Sequence, residues 1–343
     1  MSKALSYILV CLSVIMVGCS PHAYEPDVPN IGFDMDMAQT KALIAPGNLN
    51  TAGSRFIVYD VHQSENGLDQ YLDNQYLEYR DAQWSFTDTK EGQVIQIPWT
   101  KKGVHNFFAY NTYDAAAGKE LPVTVGYTSF EDNSSYNTAK QQYLQIPSSG
   151  NWTLTKDKQF DFIYASATRD VAADGYAPVP MRFKHLFAAV TVEVRNASTE
   201  KLTLQSLSFQ NIKDTGFAEI SFSGDIKYTL SASSATGLFP YDTESQISVG
   251  ESKVLYETLA PDNAFLIWPH SADNLKDAAI EIKYKLGNST STTSKIILSE
   301  NYTVKTWIAG IKYKYLIAVT DDKISFDVVR VVDWINDDII LEE

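Results

Sequence analysis

Apolar residues recur at every second position along most of this chain. Ile280, Ile282, Tyr284 and Leu286 alternate with Glu281, Lys283 and Lys285, a period of two that lays one apolar face on a core and one charged face in water. Tyr313, Tyr315, Ile317 and Val319 repeat it, and Ile324, Phe326 and Val328 carry it on toward Val332 and Trp334. The same reading predicts strands over 56–61, 94–97, 104–110, 123–128, 160–167, 218–222 and 253–259. Near the N-terminus, Ile31, Phe33, Met35 and Met37 alternate with Gly32, Asp34, Asp36 and Ala38. Helical spacing is nearly absent. Its best candidate, Leu68, Tyr71, Leu72, Tyr76 and Tyr79, lacks a clean cap, and its end reads equally as a strand turning at 80–83 into Trp84-Ser85-Phe86.

Two strands change phase midway. Met181, Phe183 and Phe187 occupy odd positions, then Val190, Val192 and Val194 even ones; Leu202 and Leu204 give way to Leu207 and Phe209. Such a switch implies a bulge, a bend or a change of sheet, a habit of β-sandwiches. Ser/Thr/Asn/Asp/Gly clusters at 131–138, 147–151, 231–237 and 287–294 punctuate the strands. Pro178 and Pro180 oppose regular pairing and mark the expected domain junction. The predicted fold is all-β: two β-sandwich domains over 31–178 and 179–343.

Composition narrows the function. The chain has 343 residues, 44% hydrophobic and 20% charged, which argues against a largely disordered chain. A net charge of −14 repels phosphate backbones, so nucleic acid is not an expected partner. Both cysteines, Cys11 and Cys19, lie in the first nineteen residues, so the remaining chain can form no internal disulfide and no thiolate metal site. Lys3 precedes an apolar stretch, 4–17, that is shorter than the roughly 20 residues needed to span a bilayer. With Met16-Val17-Gly18-Cys19 after it, residues 1–18 read as an export signal. The Cys-containing end resembles the bacterial lipobox, which makes Cys19 the expected lipidated first residue of the mature chain. Pro21, Pro26 and Pro29 then give an extended tether over 19–30.

Catalytic signatures are missing. His22, His62, His105, His185 and His270 are dispersed, with no HExxH, GxSxG, P-loop or GxGxxG arrangement. His185 falls in a core-facing phase; His62, His105 and His270 read as loop or strand-end residues. Asp34-Met35-Asp36 and Asp333…Asp337-Asp338 lack the glycine and terminal Glu of a calcium loop and read as solvated strand ends. No cofactor, metal or enzymatic activity is expected. The 42 aromatic residues, 16 Phe, 20 Tyr and 6 Trp, fall mostly in strand phase and predict core packing; exposed ones would instead suit a glycan-binding surface.

Several segments, in order, resemble the fimbrillin-like (Mfa-like) family of Bacteroidales surface lipoproteins: Phe56-Ile57-Val58-Tyr59; Pro98-Trp99 with Gly103 and Phe107-Phe108-Ala109-Tyr110; Asp161-Phe162-Ile163-Tyr164-Ala165; Met181-Arg182-Phe183-Lys184-His185-Leu186; Gly216-Phe217; Trp268-Pro269; and Trp307, Gly310, Tyr313, Tyr315, Phe326, Val328 and Trp334. The resemblance implies two transthyretin-like or Ig-like sandwiches and a structural subunit of a type V pilus. It implies export as an outer-membrane lipoprotein, proteolytic removal of an N-terminal segment, and filling of the vacated groove by a neighbouring subunit's strand. On that scheme Ile31, Phe33, Met35 and Met37 form the removable strand, cleavage follows Arg55 or Lys41 with Arg55 favoured, and the donor lies around Val328, Val332, Ile339 and Leu341. Other fimbrial subunits are the expected partners, the outer membrane is contacted through the lipid before processing, and a host or bacterial surface ligand is left open. A surface glycan-binding lipoprotein is the alternative, and a lipoprotein hydrolase on a β-sandwich scaffold a third.

Overall fold

The computed structural model describes residues 28–37, 49–65, 67–100, 102–115, 117–127, 143–155, 158–231, 238–255, 264–300, 305–332 and 339–340. In chain order the first strands are β1 (Phe33–Met37), β2 (Arg55–Ser64), β3 (Gly67–Arg80), β4 (Gln83–Thr87), β5 (Val104–Asp114), β6 (Lys119–Glu120), β7 (Gly126–Tyr127), β8 (Tyr143–Ile146), β9 (Trp152–Thr153), β10 (Ile163–Asp170), β11 (Val179–His185) and β12 (Ala188–Asn196). They continue as β13 (Leu202–Gln210), β14 (Thr215–Ser221), β15 (Ile226–Leu230), β16 (Leu238–Tyr241), β17 (Ser245–Ile247), β18 (Ser252–Val254), β19 (Phe265–Ile267), β20 (Ala279–Leu286), β21 (Thr292–Ile297), β22 (Lys312–Val319), β23 (Ile324–Val332) and β24 (Ile339–Ile340). Helix among the described residues is limited to short turns such as Val171–Asp174 and Ala272–Leu275. The all-β expectation holds, and the 68–79 segment is strand.

Four sheets pack as two facing pairs. The first sheet runs β1-β11-β10-β5-β2-β3-β4, with β6 on β5. The sheet facing it runs β15-β14-β8-β7, with β9 on β14; Tyr59 stacks on Tyr127 at 4.5 Å and Phe108 on Phe222 at 5.1 Å between them. The second pair comprises β18-β12-β22-β23-β24 with β19, and β16-β13-β20-β21 with β17. Phe209 meets Trp307 and Tyr315 edge-on within that core. Trp152, Phe187 and Trp268 join the two halves: the Trp268 indole donates to the Trp152 carbonyl at 3.2 Å, and Phe187 lies 5.1 and 4.9 Å from the two rings.

Both phase switches have structural causes. Between Met181–His185 and Val190–Val194 the chain leaves the first sheet for another, and between Leu204 and Ser206 the β13–β20 ladder carries a bulge. β10 and β11, on either side of the expected 178/179 junction, share a sheet. β11 belongs to the first sheet, and β14 and β15 return to the sheet that covers it. Pro180 is compatible with this because Val179 sends its N–H to the carbonyl of Gly32, just ahead of β1, at 2.8 Å. The neighbouring residue in a pleated strand points the other way, toward β10, where pairing begins only at Lys184. The missing proline donor is therefore not asked for.

β2 explains why the first sheet can carry a site. Residues 55–62 are all buried. Phe56 and Val58 face one core while Ile57 and Tyr59 face the other. The core of Phe56 and Val58, on the sheet side away from β14, needs its own cover.

Candidate functional site: the seat of the N-terminal strand

That cover is the N-terminal segment itself. β1 pairs in parallel with β11, Phe33 opposite Val179 through Met37 opposite Phe183. Just upstream, the chain turns its other edge to residues 97–99: Ile31 N–H donates to the Ile97 carbonyl at 2.8 Å, Trp99 N–H to the Pro29 carbonyl at 3.0 Å, and Asn30 bridges Pro98. The 94–95 stretch in turn pairs with β4, through the Thr87–Val94 bridge and the Ile95 N–H to Phe86 carbonyl bond of 2.9 Å. The first sheet thus curls until its two ends are joined across residues 28–37.

The alternation seen in the sequence sets the orientation of this strand. Ile31 and Met35 are each 6% exposed, and Phe33 is half-buried, edge-on to Phe86 at 5.5 Å and to Phe107 at 5.6 Å. Val179, Met181, Phe183, Trp99, Phe86 and Phe107 belong to the same core. Taking the strand away would leave an apolar trench between two unpaired edges. On the opposite face Asp34 and Asp36 reach Arg182 at 3.4 and 3.7 Å.

A buried polar cluster fixes one wall of the trench, and sequence reasoning missed it. His105 is fully buried and donates from Nδ1 to Asp60, also fully buried, while its Nε2 lies 2.7 Å from the Thr100 hydroxyl. His62 faces Asp69 at 3.0 Å through Nδ1 and the Lys102 carbonyl at 2.7 Å through Nε2. Burial pushes the Asp60 carboxyl up, opposed by the hydrogen bond from His105. Thr100, His105 and Asp60 have the order of a nucleophile, base and orienter. Trp99, Tyr71 and Phe107 close over the imidazole, however, and the Thr100 hydroxyl also reaches the Lys102 carbonyl at 3.0 Å. The group acts as a staple that holds the turn after Trp99 onto β2 and β5. Gly103 completes it: with φ at +104°, a Cβ there would sit 2.4 Å from His62 Nε2. His62 and His105 lie near strand ends and His270 outside the strands, as read from the sequence, and all three are buried. The available signal was the pair of polar residues, Asp60 and His62, inside an apolar run. His185 is core-facing as expected, 2.7 Å from Asp161.

The other predicted residues are dispersed. Cys19, Lys41 and Leu341 lie outside the described residues. Arg55 opens β2 at 5% exposure; its guanidinium pairs with Glu91 and with Glu120 at 3.1 Å and lies 4.3 Å from the Tyr113 ring centre. Its backbone is laddered to Glu78 and Tyr113. Val328 and Val332 lie in β23, opposite Leu316 and Lys312 of β22, and Ile339 lies in β24 opposite Val332. Among the described residues no group of three His, Cys, Asp or Glu is placed to hold a metal, and no helix is long and apolar enough to cross a membrane. Trp99, Trp152, Trp268 and Trp307 are all buried, so these four offer no stacking platform to a glycan.

The fimbrillin-like family profile matches residues 40–334. No curated protein sequence matches the chain. Among solved structures, a proposed cell adhesion protein from Bacteroides ovatus ATCC 8483 superposes with a TM-score of 0.50 at 16% identity, over 91% of this chain and 97% of that one. One from Bacteroides uniformis ATCC 8492 gives 0.47 at 15% identity, over 90% and 100%. The fimbrial anchor protein Mfa2 from Porphyromonas gingivalis gives 0.31 at 15%, over 83% and 91%.

Proposed function

The chain belongs to the fimbrillin-like family, and on that premise we propose that it is a structural subunit of a cell-surface fimbria, assembled by strand exchange at the seat of β1. One observation carries this reading: residues 28–37 are laid between two strand edges with their apolar side chains in a trench. A strand so placed contributes main-chain hydrogen bonds along its length and apolar groups at alternate positions, and another strand of the same grammar can do both. No catalytic step and no cofactor is required.

In this scheme the precursor is exported as a lipoprotein, Cys19 carries the acyl chains that hold it to the outer membrane, and β1 blocks the seat until a protease cuts between β1 and β2. The cut we assign follows Lys41, since Arg55 is buried and doubly ion-paired. The donor we assign is the C-terminal segment beyond Val332, including Ile339 and Leu341. Val328 and Val332 are held along the full β22–β23 ladder, whereas β24 adds only two pairs. Lys41→Ala and Arg55→Ala, expressed separately in cells, test the scheme. Lys41→Ala is expected to keep the leader and form no fibres, and Arg55→Ala to be processed normally. Fibres of normal length from Lys41→Ala defeat the assigned cut; a processed wild-type chain that stays monomeric on the surface defeats strand exchange itself.

A further inference from the structure

We propose that the seat of β1 selects its occupant by charge as well as by apolar fit, and takes a strand that presents carboxylates and no cation on its outward face. The inference rests on the strand-exchange reading above and concerns which strand is accepted.

β11, the wall that such a strand must pair with, alternates strictly. Val179, Met181 and Phe183 are buried, while Pro180, Arg182 and Lys184 are exposed. Its outward face therefore carries two cations and no acid. The present occupant is its complement: Asp34 and Asp36 are the outward residues of β1, and that strand has no basic residue. In the observed register Asp34 stands opposite Pro180 and Asp36 opposite Arg182. The Arg182 guanidinium forks between them, Nη2 3.4 Å from the Asp34 carboxylate and Nη1 3.7 Å from that of Asp36. Same-face residues in a strand are about 7 Å apart, a separation that a planar, five-donor guanidinium can span and a lysine ammonium cannot.

The setting makes these charges matter. The chain carries a net −14, so two copies repel at long range, and a cationic strip on the accepting edge supplies local attraction for an acidic strand. A second copy offers an acidic segment without opposing cations: from Asp333 onward the chain holds Asp333, Asp337, Asp338, Glu342 and Glu343 and no Lys or Arg, with Asp333 and Asp337 in one strand phase. A basic strand of equal apolarity would set its charges against Arg182 and Lys184.

Peptide exchange into the full chain tests this. A specific protease sequence is inserted after Thr40 and cut, leaving the leader seated without a covalent tie. Labelled peptides of residues 29–38 are then offered, one with Asp34 and Asp36 as in the chain, one with both replaced by Asn, and one with both replaced by Lys. At low ionic strength the Asp peptide is expected to bind roughly fivefold or more tightly than the Lys peptide, with Asn between, and molar salt to shrink the spread. Arg182→Ala should compress the order and Arg182→Glu reverse it. Equal binding of all three peptides, or an order unchanged in Arg182→Glu, overturns charge selection and leaves the seat intact as an apolar strand site. Entry of no peptide at all overturns the seat reading and this inference together.

Discussion

The N-terminal segment meets neighbours on two sides: β1 pairs with β11 through a five-residue parallel register, and Pro29, Asn30 and Ile31, just upstream, meet residues 97–99. At the other end of the chain β23 lies beyond β22 and β24 beyond β23, each added outside the strand before it. The two terminal segments are thus bound on different terms. Loss of β24 strips two pairs from the rim of a sheet. Loss of residues 28–37 removes β1 from the end of the first sheet together with the upstream link to 97–99, and uncovers Val179, Met181, Phe183, Trp99 and Phe107 at once. A replaceable strand is one whose absence costs the core something that another strand can restore, and among the described residues the N-terminal segment fits that description.

Met35→Asp should break the contrast most sharply. It puts a carboxylate at a position 6% exposed, at a cost of about 3 kcal/mol or more for an unpaired buried charge. Hydrogen exchange should then accelerate in β1 and β11 and stay unchanged in β23; matched protection in both regions would show that β1 does not cover the trench. Asp60→Ala should cost about 3 kcal/mol as well, because it leaves a buried imidazole without its partner. Denaturant unfolding measures the loss, and protection of the Ile31 N–H reports whether the staple holds the wall that β1 rests on.

Acid separates the two halves in another way. Burial lowers the His270 pKa to about 4, in the half away from β1. Its Nδ1 donates to the Trp268 carbonyl at 2.6 Å and its Nε2 accepts from the Lys213 N–H at 3.2 Å, so the neutral ring is the one that fits. Unfolded, the same histidine binds a proton below about 6.5. The unfolded state then holds more protons than the native one between those values, so stability is full above pH 6.5 and falls as pH drops toward 4. The loss is about 3 kcal/mol over that window. Urea titrations at pH 7 and pH 5 should show the slope, and His270→Gln should remove its share of it. The smallest effect is expected from deleting residues 339–343: two ladder pairs go, at a cost near 1 kcal/mol, with no change in protection of β1.

Much of this was readable from residue order. The alternation at 280–286 gave the buried and wet faces of β20, and that at 31–37 gave the two faces of the leader, because a pleat turns every second side chain the same way. The partners were not readable. β1 pairs with a strand far downstream and in parallel, and nothing in a period of two distinguishes a parallel neighbour from an antiparallel one. β14 and β15 carry the same grammar as β13, so their return to the first half is invisible before the fold is known. Asp60 and His62 looked like interruptions of an apolar run. They are buried because His105 and Asp69 come from elsewhere in the chain to meet them. The ion pairs of Arg55 were not readable either, because Glu91 and Glu120 lie on segments whose position only folding decides.

Residues 38–54 connect β1 to β2 in the sequence, and under the proposed strand exchange that tie governs a concentration. While it is whole, the leader is present at its own seat at an effective concentration on the order of millimolar, as for a short covalent link, and any rival strand must outcompete it there. One cut in the tie turns the leader into an ordinary ligand. It then leaves at its own off-rate, its return depends on how dilute it has become, and a rival needs only to be abundant nearby. The number of bonds between β1 and β11 is the same before and after the cut; what changes is the order of the reaction that remakes them.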